Sequence, residues 1–301
     1  MMQNTTPLVS IITVNYNESE VTLALLASLQ KLSYTHVEVI VVDNASPKDC
    51  PEVLKETYPE INLIRSEKNL GFAGGNNLGV KAAKGEYLLF INNDTIVPEN
   101  FLEPLLQTLQ NDPGIGMVSP KIKFHWNQEL IQYAGYTAMN TWTIRNSSIG
   151  YRAKDDGSYD LPRETASIHG AAMMVPRQVV ERVGMMTEIY FLYYEEHDWA
   201  AKIKKAGYKI FYQPQSYILH KESISTGKSS PLKTYYISRN RLVYARRNFK
   251  PLHLGVSLLF QCFISIPKNT LSYLVKRQFQ HLKAFWKAIF WNLTHHQIIH
   301  Q

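Results

Sequence analysis

Tyr87-Leu88-Leu89-Phe90-Ile91, closed by Asn92-Asn93-Asp94, is the stretch on which the reading of this chain turns. Five consecutive apolar residues predict a strand buried on both faces, as in a parallel sheet held between helices. Ligands of such sheets bind beyond the carboxyl ends of the strands. A carboxylate delivered there, Asp94, can hold a hard cation, and the cation can hold a diphosphate. By itself the triplet also describes an ordinary turn. Its meaning depends on what other segments bring to the same edge.

Upstream, Leu8 to Val14 reads as a buried strand. Asn17 with Glu20 resembles a capping box before a helix with apolar residues at Val21, Leu25, Leu26, Leu29 and Leu32. A second strand, Val37 to Val42, ends at Asp43. A third, Ile61 to Arg65, leads into the glycine-rich run Asn69-Leu-Gly-Phe-Ala-Gly-Gly-Asn-Asn77, and a helix through Lys84 follows. This alternation of strand and helix predicts an α/β fold with a parallel sheet. Downstream, the rhythm is lost from Phe124 to Glu164, which reads as a loop-bearing insertion. It returns as a strand at Ile168 to Val175. A helix begins near Glu195 and stops at Gly207. Strands at 208–212 and 217–219 precede an aromatic, basic, helical segment from Tyr235 onward.

The chain has 301 residues, 45% of them hydrophobic and 19% charged, enough to bury a core. A net charge of +7 points to an anionic partner: nucleic acid, an acidic membrane surface or a phosphorylated substrate. No recognisable binding motif supports nucleic acid. Cys50 and Cys262 form no metal or redox spacing, which fits a reducing cytosol. The amino terminus lacks the basic segment and apolar run of a signal peptide. Leu252 to Ile266 is shorter than the roughly 20 apolar residues that span a bilayer. Its neighbourhood of Arg239, Arg241, Arg246, Arg247, Phe285, Trp286, Phe290 and Trp291 suits a helix lying in a membrane interface. A helical pair packed on the catalytic domain is the other reading.

Four strand ends deliver polar groups suited to a nucleoside diphosphate. Asn15 and Asn17 follow the first strand. Asp43 follows the second, where a carboxylate can accept from a base or ribose hydroxyl. Asn69 and the glycines after it let the backbone approach a ligand. Asp94 ends the fourth. The glycine run is not a GxGxxG fingerprint and follows the third strand, which argues against a dinucleotide.

The motifs VSIITVNYN (9–17), VIVVDNAS (39–46), NLGFAGGNNLG (69–79), LLFINNDT (88–95), GAAMMVPR (170–177) and YYEEHDWAAKIKKAGYKI (193–210) together resemble glycosyltransferase family 2, in its rhamnosyltransferase-like branch. The resemblance covers roughly residues 8–225. It implies a GT-A fold: a Rossmann-like, mostly parallel sheet flanked by helices. It also implies a nucleotide-sugar donor and a divalent metal, Mg or Mn. Position by position, Asp43 resembles the nucleoside-binding aspartate, with Asn15, Asn17, Asn69, Asn77 and Asn93 as further donor contacts. Asn92-Asn93-Asp94 resembles the DxD element with Asn at its first position, leaving Asp94 as the acidic metal ligand. His220 is spaced like a metal-ligating histidine of some relatives, although a packed histidine at a strand end fits equally.

Glu195-Glu196-His197-Asp198 resembles the ED element. Glu196 stands where the catalytic aspartate base is usual, and Glu195 is the second candidate. Acids in a first helical turn also favour the helix dipole without any catalytic role. Asp198 either orients the helix or contacts the acceptor. His169 and nearby aromatic residues are the expected acceptor contacts.

The expected organisation is a catalytic domain at 1–228, with a nucleotide-binding part at 8–120 and an acceptor side at 121–228. A helical, basic-aromatic extension at 229–301 completes the chain. The expected function is inverting transfer of a sugar, with dTDP-rhamnose as leading donor, to a saccharide or lipid-linked saccharide in bacterial surface polysaccharide synthesis. The expected location is the cytoplasm, peripherally on the inner membrane face. Two rivals are a nucleotide-sugar-binding scaffold without turnover and a sugar nucleotidyltransferase. The latter would carry a basic phosphate loop where this chain has Asn15-Tyr16-Asn17-Glu18.

Overall fold

The computed structural model describes residues 6–221 and 230–295. The first half comprises β1 (Val9–Asn15), α1 (Ser19–Leu29), β2 (Val37–Asp43), α2 (Glu52–Thr57), β3 (Asn62–Arg65), α3 (Gly71–Ala82), β4 (Tyr87–Ile91), β5 (Thr95–Ile96) and α4 (Leu102–Asn111). Then come β6 (Ile115–Phe124), β7 (Asn127–Tyr133), β8 (Arg163–Glu164), β9 (Ala172–Pro176), α5 (Arg177–Val183), α6 (Glu195–Lys205) and β10 (Lys209–His220). Four helices end the described chain: α7 (Pro231–Asn248), α8 (Pro251–Phe260), α9 (Ile266–Val275) and α10 (Phe279–Thr294). A π-helical stretch, Gln261–Ser265, joins α8 to α9.

All ten strands form one sheet, ordered β3-β2-β1-β4-β9-β6-β10-β5, with β7 on β6 and β8 on β10. The nucleotide side, β3-β2-β1-β4, is parallel throughout. β4 is interior, paired to β1 on one side and antiparallel to β9 on the other. Its side chains alternate as a strand requires. Leu89 and Ile91 pack with Leu25, Leu26 and Leu105, whereas Leu88 and Phe90 pack with Val179, Trp199 and Ile203. Helices therefore cover both faces, which accounts for the unbroken apolar run. Burying each such Leu or Ile contributes about 1.5–3 kcal/mol.

Three local expectations are corrected. The capping box does not form: α1 begins at Ser19, whose N–H donates to Asp49 Oδ2 at 2.7 Å, while Asn17 Oδ1 accepts from Lys48 N. A carboxylate from the 45–49 turn thus serves the first turn of the helix. The supposed loop after Phe124 contains β7, which folds back on β6 as a hairpin. The two short strands at 208–219 are one strand, β10, with a register shift between Gln213 and Tyr217 that hid its continuity.

The glycine run also serves packing. Gly71 has φ +69° and lies so close to Phe191 that a Cβ would sit 2.2 Å from its carbonyl oxygen. A Cβ on Gly79 would meet Ile12 at 2.4 Å, so this glycine lets α3 press onto β1.

α7 is built into the molecule: Leu242, Val243, Tyr244 and Ala245 pack in one cluster with Ile144 and Tyr190. The expected boundary at 228/229 lies outside the described residues. Both cysteines are free. Among the described residues, no helix is long and apolar enough to cross a membrane.

Candidate active site

A cleft of about 340 Å³ opens beyond the carboxyl ends of β1 and β4, with Asn69, Asn93, Asp94, His169 and His220 in its lining. β5 explains why Asp94 and His220 meet. It pairs antiparallel with the end of β10, setting Thr95 opposite His220 and so placing Asp94 beside the histidine. Asp94 Oδ1 and His220 Nε2 lie 3.1 Å apart, both buried, and neither has a hydrogen-bond partner. His220 Nδ1 sits 2.8 Å from Gln132 Oε1, which makes Nδ1 the protonated nitrogen and leaves the Nε2 lone pair toward Asp94. Burial pushes the Asp94 pKa up, but when the His220 ring is protonated its hydrogen bond and charge outweigh that push and hold the carboxyl below its ordinary value. A buried carboxylate oxygen and an imidazole lone pair without donors fit a divalent cation. Among the described residues no third His, Cys, Asp or Glu joins them.

His169 has a different chemistry from its neighbour. Its Nδ1 accepts from Ala171 N at 3.1 Å, so the neutral ring carries its proton on Nε2. Burial, followed by the charges of His220 and His197, pushes its pKa down to about 3. It can donate a hydrogen bond but cannot serve as a base through Nε2.

Several expected ligand contacts are engaged inside the protein. Asn93 Nδ2 donates to Thr22 Oγ1, Thr22 Oγ1 donates to Asn15 Oδ1, and Asn15 Nδ2 donates to Asp43 Oδ1. This relay ties the ends of β4, β1 and β2 together through α1. Asn15 and Asp43 are fully buried, and Ser46 Oγ also donates to Asp43 Oδ1 at 2.6 Å. Neither lines the cleft, so ligand contact would require the 45–49 turn to move. Asn17 has φ +58° and holds that same turn. Asn77 bonds Met186 through both its donor and its acceptor, fixing α3 to the segment before α6. Asn69 does line the cleft, with its Oδ1 accepting from Asn44 Nδ2 and Gly71 N.

Asp198 is buried and accepts from Thr187 Oγ1, Tyr190 Oη, Arg247 Nε and Asn248 Nδ2, the last two clamping α6 to α7.

Glu195 and Glu196 open α6, directly after the cleft-lining residues Phe191, Leu192 and Tyr193. Neither acid is part of that lining. Each has one buried carboxylate oxygen without a hydrogen-bond partner. Burial, reinforced by the Glu196 charge, pushes the Glu195 pKa well above the ordinary carboxyl range.

The segment before the acids is strained: Phe191, Tyr193 and Tyr194 all have positive φ. Each such residue costs roughly 1–3 kcal/mol. Asn240 of α7 compensates by donating from Nδ2 to the carbonyls of Tyr190, Leu192 and Tyr193. Arg239 adds bonds to the carbonyls of Ile189 and Tyr190 while lying over the rings of Tyr236 and Trp291. Gln132 and Asn240 had no role in the sequence reading, and Arg239 entered it only as part of a basic segment suited to a membrane interface. The one signal for the last two was an Asn set among arginines on a helix otherwise expected to face a membrane.

The family model for glycosyl transferase family 2 matches residues 10–183, more than half of the chain. The chain belongs to glycosyltransferase family 2. The N-acetylglucosaminyl-diphospho-decaprenol L-rhamnosyltransferase of Mycobacterium tuberculosis is 24% identical over 244 residues, covering 74% of this chain and 79% of that enzyme. The uncharacterized protein y4gI of Sinorhizobium fredii is 25% identical over 255 residues; they cover 81% of this chain but only 28% of that longer protein. Among solved structures, the mannosyltransferase PcManGT from Pyrobaculum calidifontis, in complex with GDP-Man and Mn2+, superposes with a TM-score of 0.59 at 17% identity. That match covers 98% of this chain and 89% of PcManGT, and the family-2 chain shares its GT-A fold.

Proposed function

We propose that this protein is an inverting glycosyltransferase that moves a sugar from a nucleoside-diphosphate donor to a hydroxyl of a saccharide or lipid-linked saccharide. The observation that carries the reading is the buried, unpartnered Asp94–His220 pair at the strand ends of a family-2 cleft. A divalent cation, Mg or Mn, held by these two residues would supply charge neutralisation for the leaving diphosphate.

Glu196 is the base. It accepts the proton of the acceptor hydroxyl as that oxygen attacks the anomeric carbon, while the bond to the diphosphate oxygen breaks on the opposite face. The upward push on the Glu195 pKa supports Glu196 over Glu195 in this role. His169 offers its Nε2 proton to an oxygen in the cleft. The rhamnosyltransferase-like motifs and the mycobacterial relative support dTDP-rhamnose as donor and a lipid-diphosphate-linked acceptor for surface polysaccharide.

A peripheral position on the cytoplasmic face of an anionic membrane is supported by Leu252, Leu259, Phe263, Leu271 and Val275, apolar side chains exposed on α8, α9 and the stretch between them.

A panel of nucleotide sugars assayed for metal-dependent hydrolysis and transfer tests this reading. One donor is expected to turn over, and Glu196→Gln should lower transfer about 10²–10⁴-fold. Wild-type transfer by that variant rejects Glu196 as base. Donor binding without turnover, whatever the metal or acceptor, identifies a scaffold instead.

A further inference from the structure

A second cavity, of about 240 Å³, lies between the Arg145 loop, one face of α7, and helices α9 and α10. Ser230, Lys233, Thr234, Ser238 and Arg241 form its α7 wall at successive helical turns, and Asn269 of α9 faces them. Among the described residues its lining contains three cations, Arg145, Lys233 and Arg241, and no carboxylate. Among the described residues none of the three cations has an ion-pair partner. Their neighbours on α7 differ: Arg239 is buried, Arg246 donates to the Asn292 carbonyl, and Arg247 pairs with Asp198. The charge of Arg241, followed by burial, holds the Arg145 pKa below its ordinary value. Two guanidinium groups that line one cavity without a carboxylate partner among the described residues are stabilised by a bound anion. The amino-terminal end of α7, eighteen residues long, adds its dipole to the same space.

Lys233 lines both this cavity and the donor cleft, so an anion held here lies next to the site of transfer. Ile237, Tyr273 and Phe285 complete the lining with apolar and aromatic surface beside these cations. The lining therefore suits a molecule with a multiply charged head and a hydrocarbon tail.

We propose that this cavity binds the diphosphate of a lipid-linked acceptor, with Arg145, Lys233 and Arg241 as its ligands and the start of the lipid chain against Ile237, Tyr273 and Phe285. Naming the ligand as acceptor rests on the transferase reading above; the anion site itself does not.

The test measures binding of farnesyl diphosphate to the full chain by calorimetry, in EDTA and without nucleotide, so that the metal-dependent cleft is silent. Wild type should bind it, and inorganic diphosphate should compete more weakly. The double variant Arg145→Gln/Arg241→Gln should lose about tenfold or more in affinity. Ser238→Glu keeps every cation and places a carboxylate in the cavity, and it should cause a similar loss with an unchanged melting temperature. Affinity for phosphatidylglycerol vesicles should stay the same in all variants. Farnesyl diphosphate affinity unmoved by both variants overturns the site. Inorganic diphosphate binding as tightly as farnesyl diphosphate overturns the lipid-linked ligand. Vesicle affinity falling in step assigns the cavity to phospholipid headgroups and also overturns it. A chain that hydrolyses no sugar nucleotide refutes the transferase reading and leaves this binding result standing.

Discussion

Glu195 and Glu196 differ by one position at the head of α6, yet their environments separate their chemistry. Unfolded, Glu195 releases its proton near pH 4.5; folded, it keeps the proton to higher pH, because burial and the Glu196 charge raise its pKa. Between those limits the folded state binds more protons than the unfolded state, so stability falls as pH rises. Each unit of that rise corresponds to about 1.4 kcal/mol. Glu195→Gln mimics the protonated acid permanently. It is expected to match wild type in urea unfolding near pH 4 and to be more stable at pH 8, on the order of 1–3 kcal/mol. Equal stability at pH 8 would show that Glu195 is ionised in the fold. The same shift bears on a division that the sequence left open: an acid that burial makes slow to release its proton supports Glu196 over Glu195 as the proposed base.

At the scale of the element, α7 holds the turn that precedes those acids. Asn240→Asp keeps the shape of the side chain and removes its donors, leaving the Leu192 and Tyr193 carbonyls facing an acid. A loss of about 2–4 kcal/mol in urea unfolding is expected, together with reduced transfer. Wild-type values for both would show that the turn holds itself. The parallel strands were legible in the sequence because burial on both faces writes long apolar runs such as Leu88–Ile91. The position of Asp94 was legible for the same reason, since it follows such a run. β7 was not: Gln132 and its neighbours alternate against a partner whose register shifts, so no period survives. Asn240 was not legible either. Its partners are backbone carbonyls some fifty positions away, and carbonyls leave no mark on residue identity. Asp43 shows the converse: its motif was plain, but a motif does not reveal that Ser46 and Asn15 already occupy the carboxylate.

Across the whole molecule, the charge of +7 divides into inward and outward parts. Arg239, Arg246 and Arg247 are engaged inside the molecule, which leaves Arg241 as the member of that arginine cluster without an ion-pair or backbone partner among the described residues. The apolar row on α8 and α9 remains exposed, with Phe263 73% accessible. Transfer of one such side chain into an interface contributes about 1.5–3 kcal/mol. In a sedimentation assay the full chain is expected to bind phosphatidylglycerol vesicles, and Phe263→Ser to weaken binding about tenfold or more. No sedimentation of wild type with these vesicles would remove the membrane from the account. The Asn240 clamp also sets where this chain can be cut and rejoined. A hybrid that joins residues 1–221 to the tail of another transferase would inherit the two acids at the head of α6 without the amide that holds their turn. The smallest exchangeable cassette therefore runs through Asn248, and recombination for new acceptors belongs after that residue.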